Sequence, residues 1–239
     1  METWYRIALF AHVAAGSVAL VTFWSAALLR KGSPRHRRVG DVFLLAMLGV
    51  LLSGAPLVAA LRERGEPVSA LFLAFLLVLV AQGSWAAWRA IRDRADPRRF
   101  FGAVYWTLAA LCGLGGTGIV ALGIDVGSAL LPVFGGVGVL VALGSVRSHR
   151  RWRRGRAVAQ WWVREHYGAI LGLGVATHIA FLSIGLRNAL PFIEPALRMQ
   201  LAWFLPLAVA FVAGFHLDRR YGGGRPRAPR PVLSPDAAR

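Results

Sequence analysis

Seven apolar runs, each of about 20 residues, dominate this 239-residue chain. They cover residues 4–29, 39–61, 68–88, 100–122, 130–146, 167–186 and 199–217. An apolar helix of this length spans the hydrocarbon core of a bilayer, where no water is present to satisfy backbone groups. The runs are continuous and do not alternate in polarity as the strands of a membrane barrel do. The sequence therefore predicts an all-α fold, a bundle of seven transmembrane helices.

The composition excludes the main classes of protein that fold in water. Hydrophobic residues make up 56% of the chain and charged residues only 16%, whereas soluble domains carry about 25% charged residues. A cytoplasmic enzyme and a disordered chain are therefore excluded. Cys112 is the only cysteine, so a secreted disulfide scaffold is excluded as well.

The basic residues lie almost entirely on one side of the predicted membrane. The chain has 28 Lys and Arg and a net charge of +17. The loops after the first, third and fifth spans, together with the tail, hold all of these basic residues except Arg6, Arg62, Arg64, Arg187 and Arg198. Basic loops stay in the cytoplasm, which places the amino terminus outside and the carboxy terminus inside. Anionic headgroups of the inner leaflet are the expected partners of this charge, and no nucleic-acid binding is needed to explain it.

Two segments lie beyond the apolar runs. Within residues 152–166, aromatic and apolar side chains share one helical face and arginines occupy the other, which predicts an interfacial helix. The alternative is an ordinary loop that carries membrane-interface aromatics. Residues 218–239 are rich in Gly, Pro and Arg and cannot bury apolar surface. We therefore expect a transmembrane domain over residues 1–217, including the interfacial segment, and a disordered basic cytoplasmic tail over residues 218–239.

Known catalytic motifs do not explain this sequence. Residues 113–118 match the dinucleotide pattern G-x-G-x-x-G but lie inside the fourth span, so they lack the strand–helix context that the motif requires. These glycines, and the pair Gly168 and Gly172, are typical of close helix packing in membranes. The sequence assigns no reaction and no metal cluster.

His12 and His178 stand out because both lie inside apolar runs. Each is eight residues from the predicted outer end of its run, at a depth of about 12 Å. Equal depth would let the two imidazoles share a haem iron or another metal. In the alternative interpretation, each histidine hydrogen-bonds a carbonyl or a hydroxyl group across a helix interface. In both cases an ionisable group inside the membrane is a candidate functional residue.

Short motifs in the first, second and sixth spans resemble a known bacterial family. They comprise His12-x-x-x-Gly16, Leu29-Arg30-Lys31-Gly32, His36-Arg37-x-x-Gly40, Met47 and the later His166. This set is similar to the signature of the membrane family called domain of unknown function 2306. The resemblance implies a polytopic protein of the bacterial inner (cytoplasmic) membrane and supplies no reaction. Within the signature, we expect His36 and Arg37 to anchor their loop at the headgroups or against His166.

Three functional hypotheses follow from the sequence. The first is a polytopic inner-membrane protein that binds a cofactor or a small apolar ligand between its helices. The second is a b-type haem or metal redox protein that uses His12 and His178. The third is a transporter of a neutral or hydrophobic solute, since no helix interior contains Asp, Glu, Lys or Arg.

Overall fold

The computed structural model describes residues 3–155 and 160–221, and within these ranges the chain forms helices and no strand. The helices are α1 (Thr3–Leu28), α2 (Pro34–Glu63), α3 (Pro67–Arg92), α4 (Pro97–Phe100), α5 (Ala103–Asp125), α6 (Leu130–Arg153), α7 (Trp161–Ala189) and α8 (Pro195–Tyr221). All except the single turn α4 are long and apolar enough to cross a membrane. The predicted all-α bundle of seven membrane-crossing helices is confirmed.

The helices extend further than the apolar runs do. Helix α2 begins at Pro34 because Ser33 accepts a hydrogen bond from the backbone N–H of His36, and Pro34 suits the first turn of a helix. Helix α7 begins at Trp161 rather than at residue 167. Hydropathy detects only the part of a helix that crosses the hydrocarbon, so these polar helix ends are missed.

Two predicted segments lie partly outside the described residues. Of the segment 152–166, the described part belongs to the ends of α6 and α7, with a turn at Gly155 whose φ of 64° favours glycine. Residues 156–159 are not described. Of the predicted tail 218–239, the first residues continue α8 as far as Tyr221, and residues 222–239 lie outside the described ranges.

Helix α3 lies at the centre of the bundle and packs against α2, α5 and α7, while α1 pairs with α2 and α8 pairs with α7. A buried cluster that includes Phe43, Met47, Val80 and Leu173 joins α2, α3 and α7. Helices α5 and α6 approach each other closely at their glycines: a Cβ added at Gly116 would lie only 2.5 Å from the carbonyl oxygen of Gly135. Small residues thus bring these two backbones together.

The basic loops meet at one end of the bundle, which we call the basic end. His36, in the first turn of α2, lies close enough to His166, near the start of α7, to act on it electrostatically. His149, near the end of α6, packs its ring 5.0 Å from that of Phe101, just before α5. Large apolar side chains are exposed on the outer faces of the helices. The chain is therefore a multi-pass membrane protein whose outer helix faces contact lipid.

Candidate functional site

A cavity of about 1510 Å³ lies within the bundle. Residues from α1, α2, α3, α6, α7 and α8 line it, together with Phe101 and with Tyr105 of α5, and most of these side chains are apolar. Ligand pockets for small molecules occupy roughly 300–1,000 Å³. The cavity is therefore large enough for a lipid-like molecule.

Glycines on two facing helices help to keep this space open. Gly144 of α6 and Gly168 and Gly172 of α7 line the cavity, and no atom lies within 4 Å of the position that a Cβ would take at any of them. The prediction of close packing at Gly168 and Gly172 is therefore wrong: both glycines border open space. The prediction of close packing among the glycines of residues 113–118 is confirmed at Gly116, which approaches Gly135 between α5 and α6, whereas Gly118 borders open space.

Polar side chains line the cavity near the basic end. The Ser148 hydroxyl donates a hydrogen bond to Oε1 of Glu165, which links α6 to α7. Arg147, Arg151 and Arg164 also line this part of the cavity. Ser148 and Glu165 form no recognisable pattern in the sequence, because their contact depends on the packing of α6 against the start of α7.

Asp218 links the start of α7 to the end of α8. Its Oδ2 accepts a hydrogen bond from Nη2 of Arg164 at 3.0 Å, and its Oδ1 accepts one from the Tyr167 hydroxyl at 2.5 Å. The arginine and the tyrosine lie three residues apart and so lie close together on the helix surface. This link places α8 beside the cavity, where its Trp203 and Leu207 complete the wall.

His12 lines the cavity at the end opposite the basic loops. Its Nδ1 lies 3.1 Å from Oγ of Ser53, and the Ser53 hydroxyl lies 2.6 Å from the carbonyl oxygen of Gly49. Since Ser53 donates its proton to that carbonyl, His12 donates to Ser53. At the neighbouring Gly54, an added Cβ would lie 2.8 Å from Cδ2 of Leu77, whereas it would lie 3.5 Å from the imidazole Cε1, an ordinary contact.

His178 has hydrogen-bond partners at both ring nitrogens. The indole Nε1 of Trp24 donates to its Nε2 at 2.9 Å, and its Nδ1 lies 2.7 Å from the carbonyl oxygen of Gly174. The ring also packs edge-on against Phe23, with centroids 5.4 Å apart. These contacts fit a neutral imidazole that carries its proton on Nδ1. As placed, His178 has no free nitrogen for an iron atom.

The structure does not bring His12 and His178 to the same depth. His12 forms a hydrogen bond with Ser53 of α2, whereas the hydroxyl of Thr177, next to His178, donates a hydrogen bond to the sulfur of Met47. Ser53 and Met47 lie six residues apart on α2, which is about 9 Å along the helix axis. The equal-depth estimate is wrong, because α7 is shifted along α1 and α2. The two imidazoles do not fit a shared haem, and cofactor binding by either one stays a prediction.

The remaining signature residues shape the basic end. The Nδ1 of His36 donates to the carbonyl oxygen of Ala26 at 3.1 Å, and the Nε of Arg37 donates to that of Gly32 at 3.1 Å. His166 donates from Nδ1 to the carbonyl oxygen of Ala87 at 3.0 Å, which ties α7 to α3. At Gly16 and Gly40, no atom lies within 4 Å of the point that a Cβ would occupy. His36 and Arg37 thus hold the turn between α1 and α2.

Within the described ranges, no group of three or more His, Cys, Asp or Glu residues is arranged to hold a metal ion. In comparisons with family models, curated proteins and solved structures, the chain gives no match. The functional conclusion therefore rests on the cavity and on the residues that line it.

Proposed function

We propose that this protein binds a lipid-like, largely apolar ligand in the cavity between its helices. The observation that carries this proposal is the cavity itself, which has a volume of about 1510 Å³ and is lined by residues of all seven membrane-crossing helices. An apolar molecule can enter such a space from the bilayer without passing through water. The lining glycines of α6 and α7 have no side chains to fill this space, so the residue types of these two helices help to create the cavity.

Aromatic side chains at both ends of the cavity support this proposal. Away from the basic end, Trp203 packs against Phe134 and Phe72 with centroid distances of 5.3 and 5.5 Å. At the basic end, Trp152 and Trp161 stack on Phe101. Both clusters contribute to the cavity wall. They give an apolar ligand large contact surfaces at each end of its site.

The proposal extends to the location and orientation of the protein. The basic loops meet at one end of the bundle, and such loops stay in the cytoplasm. This supports an amino terminus outside and arginines that contact the anionic headgroups of the inner leaflet. The motifs around His12, His36 and His166 support a bacterial inner membrane and membership in the family called domain of unknown function 2306.

Blocking the cavity tests ligand binding. Gly172→Phe places a ring in the open space beside α7, whereas Gly118→Phe places the same ring at an open position on α5 that does not line the cavity. In lipid nanodiscs, a fluorescent fatty-chain probe should bind the wild type and Gly118→Phe equally. Gly172→Phe should lose most of this binding. Equal binding to both variants would contradict the proposal.

One observation favours transport as a second candidate function. The cavity-lining residues of α7 extend from Trp161 to Gly185, which corresponds to about 36 Å of helix, and a bilayer core is about 30 Å thick. The cavity therefore follows the whole length of a membrane-crossing helix. A transporter of a neutral or hydrophobic solute would use this path. Solute flux into proteoliposomes, blocked by Gly172→Phe, would separate transport from binding alone.

A further inference from the structure

All Arg and Glu residues that line the cavity lie at its basic end, and arginines predominate among them. The lining arginines lie at the end of α6 and at the start of α7, and they are Arg147, Arg150, Arg151, Arg154 and Arg164. Among the described residues that line the cavity, Glu165 is the only one with a carboxylate. Elsewhere the wall is mostly apolar. A long apolar space with a strongly positive end suits an amphiphile that has an anionic head.

Four of these arginines form one group at the end of α6, which we call the α6 arginine cluster. Its members are Arg147, Arg150, Arg151 and Arg154. Counted from Arg147, the other three follow at three, four and seven residues, spacings that return to the same side of a helix. Like charges four residues apart are neighbours on the helix surface and destabilise it. An anion bound by the cluster would therefore relieve a repulsion within α6.

Carboxylates of the protein leave most of this positive charge unbalanced. Within the described part of the chain, Arg164 is the only cavity-lining arginine that forms an ion pair, and its partner is Asp218 at 3.0 Å. Glu165 accepts a hydrogen bond from Ser148, and Arg151 lies close enough to act on it electrostatically. One carboxylate thus lies beside the four members of the α6 arginine cluster. All four are exposed and line the cavity, so a ligand can reach their guanidinium groups.

Open space for an apolar chain begins one helical turn from these charges. Gly144 lies three residues before Arg147, and Gly168 lies four residues after Arg164. Both glycines line the cavity, and no atom lies within 4 Å of the position that a Cβ would take at either one. Trp161, the first residue of α7, lines the same end, and tryptophan is typical of the headgroup level of a membrane. A head group held by the arginines would therefore lie at headgroup depth, with room for its chain inside the bundle.

We propose that the ligand is a lipid with a phosphate monoester head, which the α6 arginine cluster binds while the apolar chain lies in the cavity. This inference rests on the proposed binding function and names the chemical class of its ligand. A phosphate monoester suits several arginines better than a carboxylate does, since it carries a charge of about −1.5 to −2 and three acceptor oxygens. Guanidinium groups bind phosphate through two parallel hydrogen bonds. A cationic head would be repelled, and the apolar wall beside the cluster favours a lipid over free phosphate.

Compounds that share one apolar chain test the charge of the head. Dodecyl phosphate, dodecanol and dodecyltrimethylammonium are compared by how well each displaces the fluorescent fatty-chain probe from the protein in phosphatidylcholine nanodiscs, whose lipids carry no net charge. We expect the phosphate to bind at least about tenfold more tightly than the alcohol, the effect of charge-assisted hydrogen bonds. The ammonium compound should bind more weakly than the alcohol. Inorganic phosphate should not displace the probe, because it has no chain to occupy the cavity.

Two double variants that remove the same charge show whether the cavity arginines are responsible. Arg147→Gln/Arg151→Gln changes two lining residues, whereas Arg38→Gln/Arg153→Gln changes two exposed residues at the basic end that do not line the cavity. The first variant should lose most of the preference for the phosphate over the alcohol, and the second should keep it. Dodecanol should bind both variants as it binds the wild type, which would show that the cavity is intact.

The failures of the two proposals are distinguishable. If the phosphate and the alcohol bind the wild type equally, or if both double variants lose the preference alike, the phosphate inference is overturned while apolar ligand binding stands. Displacement by inorganic phosphate would overturn the assignment to a lipid. If the fluorescent probe itself does not bind the wild type, the proposed binding function fails, and the phosphate inference fails with it.

Discussion

Single polar side chains at helix ends satisfy backbone N–H groups that have no partner within the helix. Ser33 accepts from the backbone N–H of His36 at 3.2 Å and starts α2. Glu194 accepts from that of Leu197 at 2.9 Å and starts α8. The backbone N–H groups of Ala196 and Leu197 lower the pKa of Glu194, because they stabilise its charged form. Helix ends are therefore defined by local chemistry that hydropathy does not detect.

Inside the membrane, the hydrogen bond between Trp24 and His178 is the residue-scale contact most open to test. Trp24→Phe keeps an aromatic ring but removes the indole N–H that donates to Nε2 of His178. The imidazole then loses a partner in a medium without water. We expect unfolding in detergent micelles to require about 1 kcal/mol less free energy.

A double-mutant cycle is the control for this contact. In a His178→Phe background the acceptor is absent, so Trp24→Phe should cost little. If Trp24→Phe costs the same in both backgrounds, the loss comes from ring packing against Phe23 and not from the hydrogen bond.

At the scale of helices, the apolar runs predict every membrane-crossing helix because about 20 apolar residues leave no other way to satisfy the backbone. The same runs do not predict how the helices pack. Gly116 and Gly172 look alike in the sequence, yet one borders a backbone and the other borders a cavity. The depths of His12 and His178 were estimated from the ends of their own runs, and the shift of α7 along α2 changes them. Contacts between distant helices are absent from local patterns.

The close approach of α5 to α6 leads to a prediction about small residues. In Gly116→Ala the new methyl group would meet the Gly135 carbonyl oxygen at 2.5 Å, so the two backbones must move apart. We expect a loss of about 1–3 kcal/mol in unfolding free energy. Gly136→Ala, on the facing helix, has no atom within 4 Å of the new methyl group and should have almost no effect. Equal losses in both variants would argue against close packing at Gly116.

At the scale of the whole molecule, the structure brings the basic segments of the sequence close together at one end of the bundle. Lys31 and His36 from the first basic loop region lie close enough to His166 to affect it electrostatically. His149 packs on Phe101 and Trp106 at the same end. The loops that are basic in sequence thus meet in space. The cavity extends from this basic end to the end that contains His12, and all of its lining Arg and Glu side chains lie at the basic end.

This asymmetry leads to a prediction about the orientation of the protein in the membrane. The experiment uses Cys112→Ala, since the only cysteine is buried in α5. A new cysteine at Glu66, between α2 and α3, reports one end of the bundle, and one at Ala95, between α3 and α4, reports the other. Both positions are exposed, and neither side chain caps a helix. Because basic loops stay in the cytoplasm, an impermeant thiol reagent added to intact cells should label Glu66→Cys. Ala95→Cys should react only after the membrane is opened. The reverse pattern would mean that the arginines face outward, and the proposed contact with inner-leaflet headgroups would then be wrong.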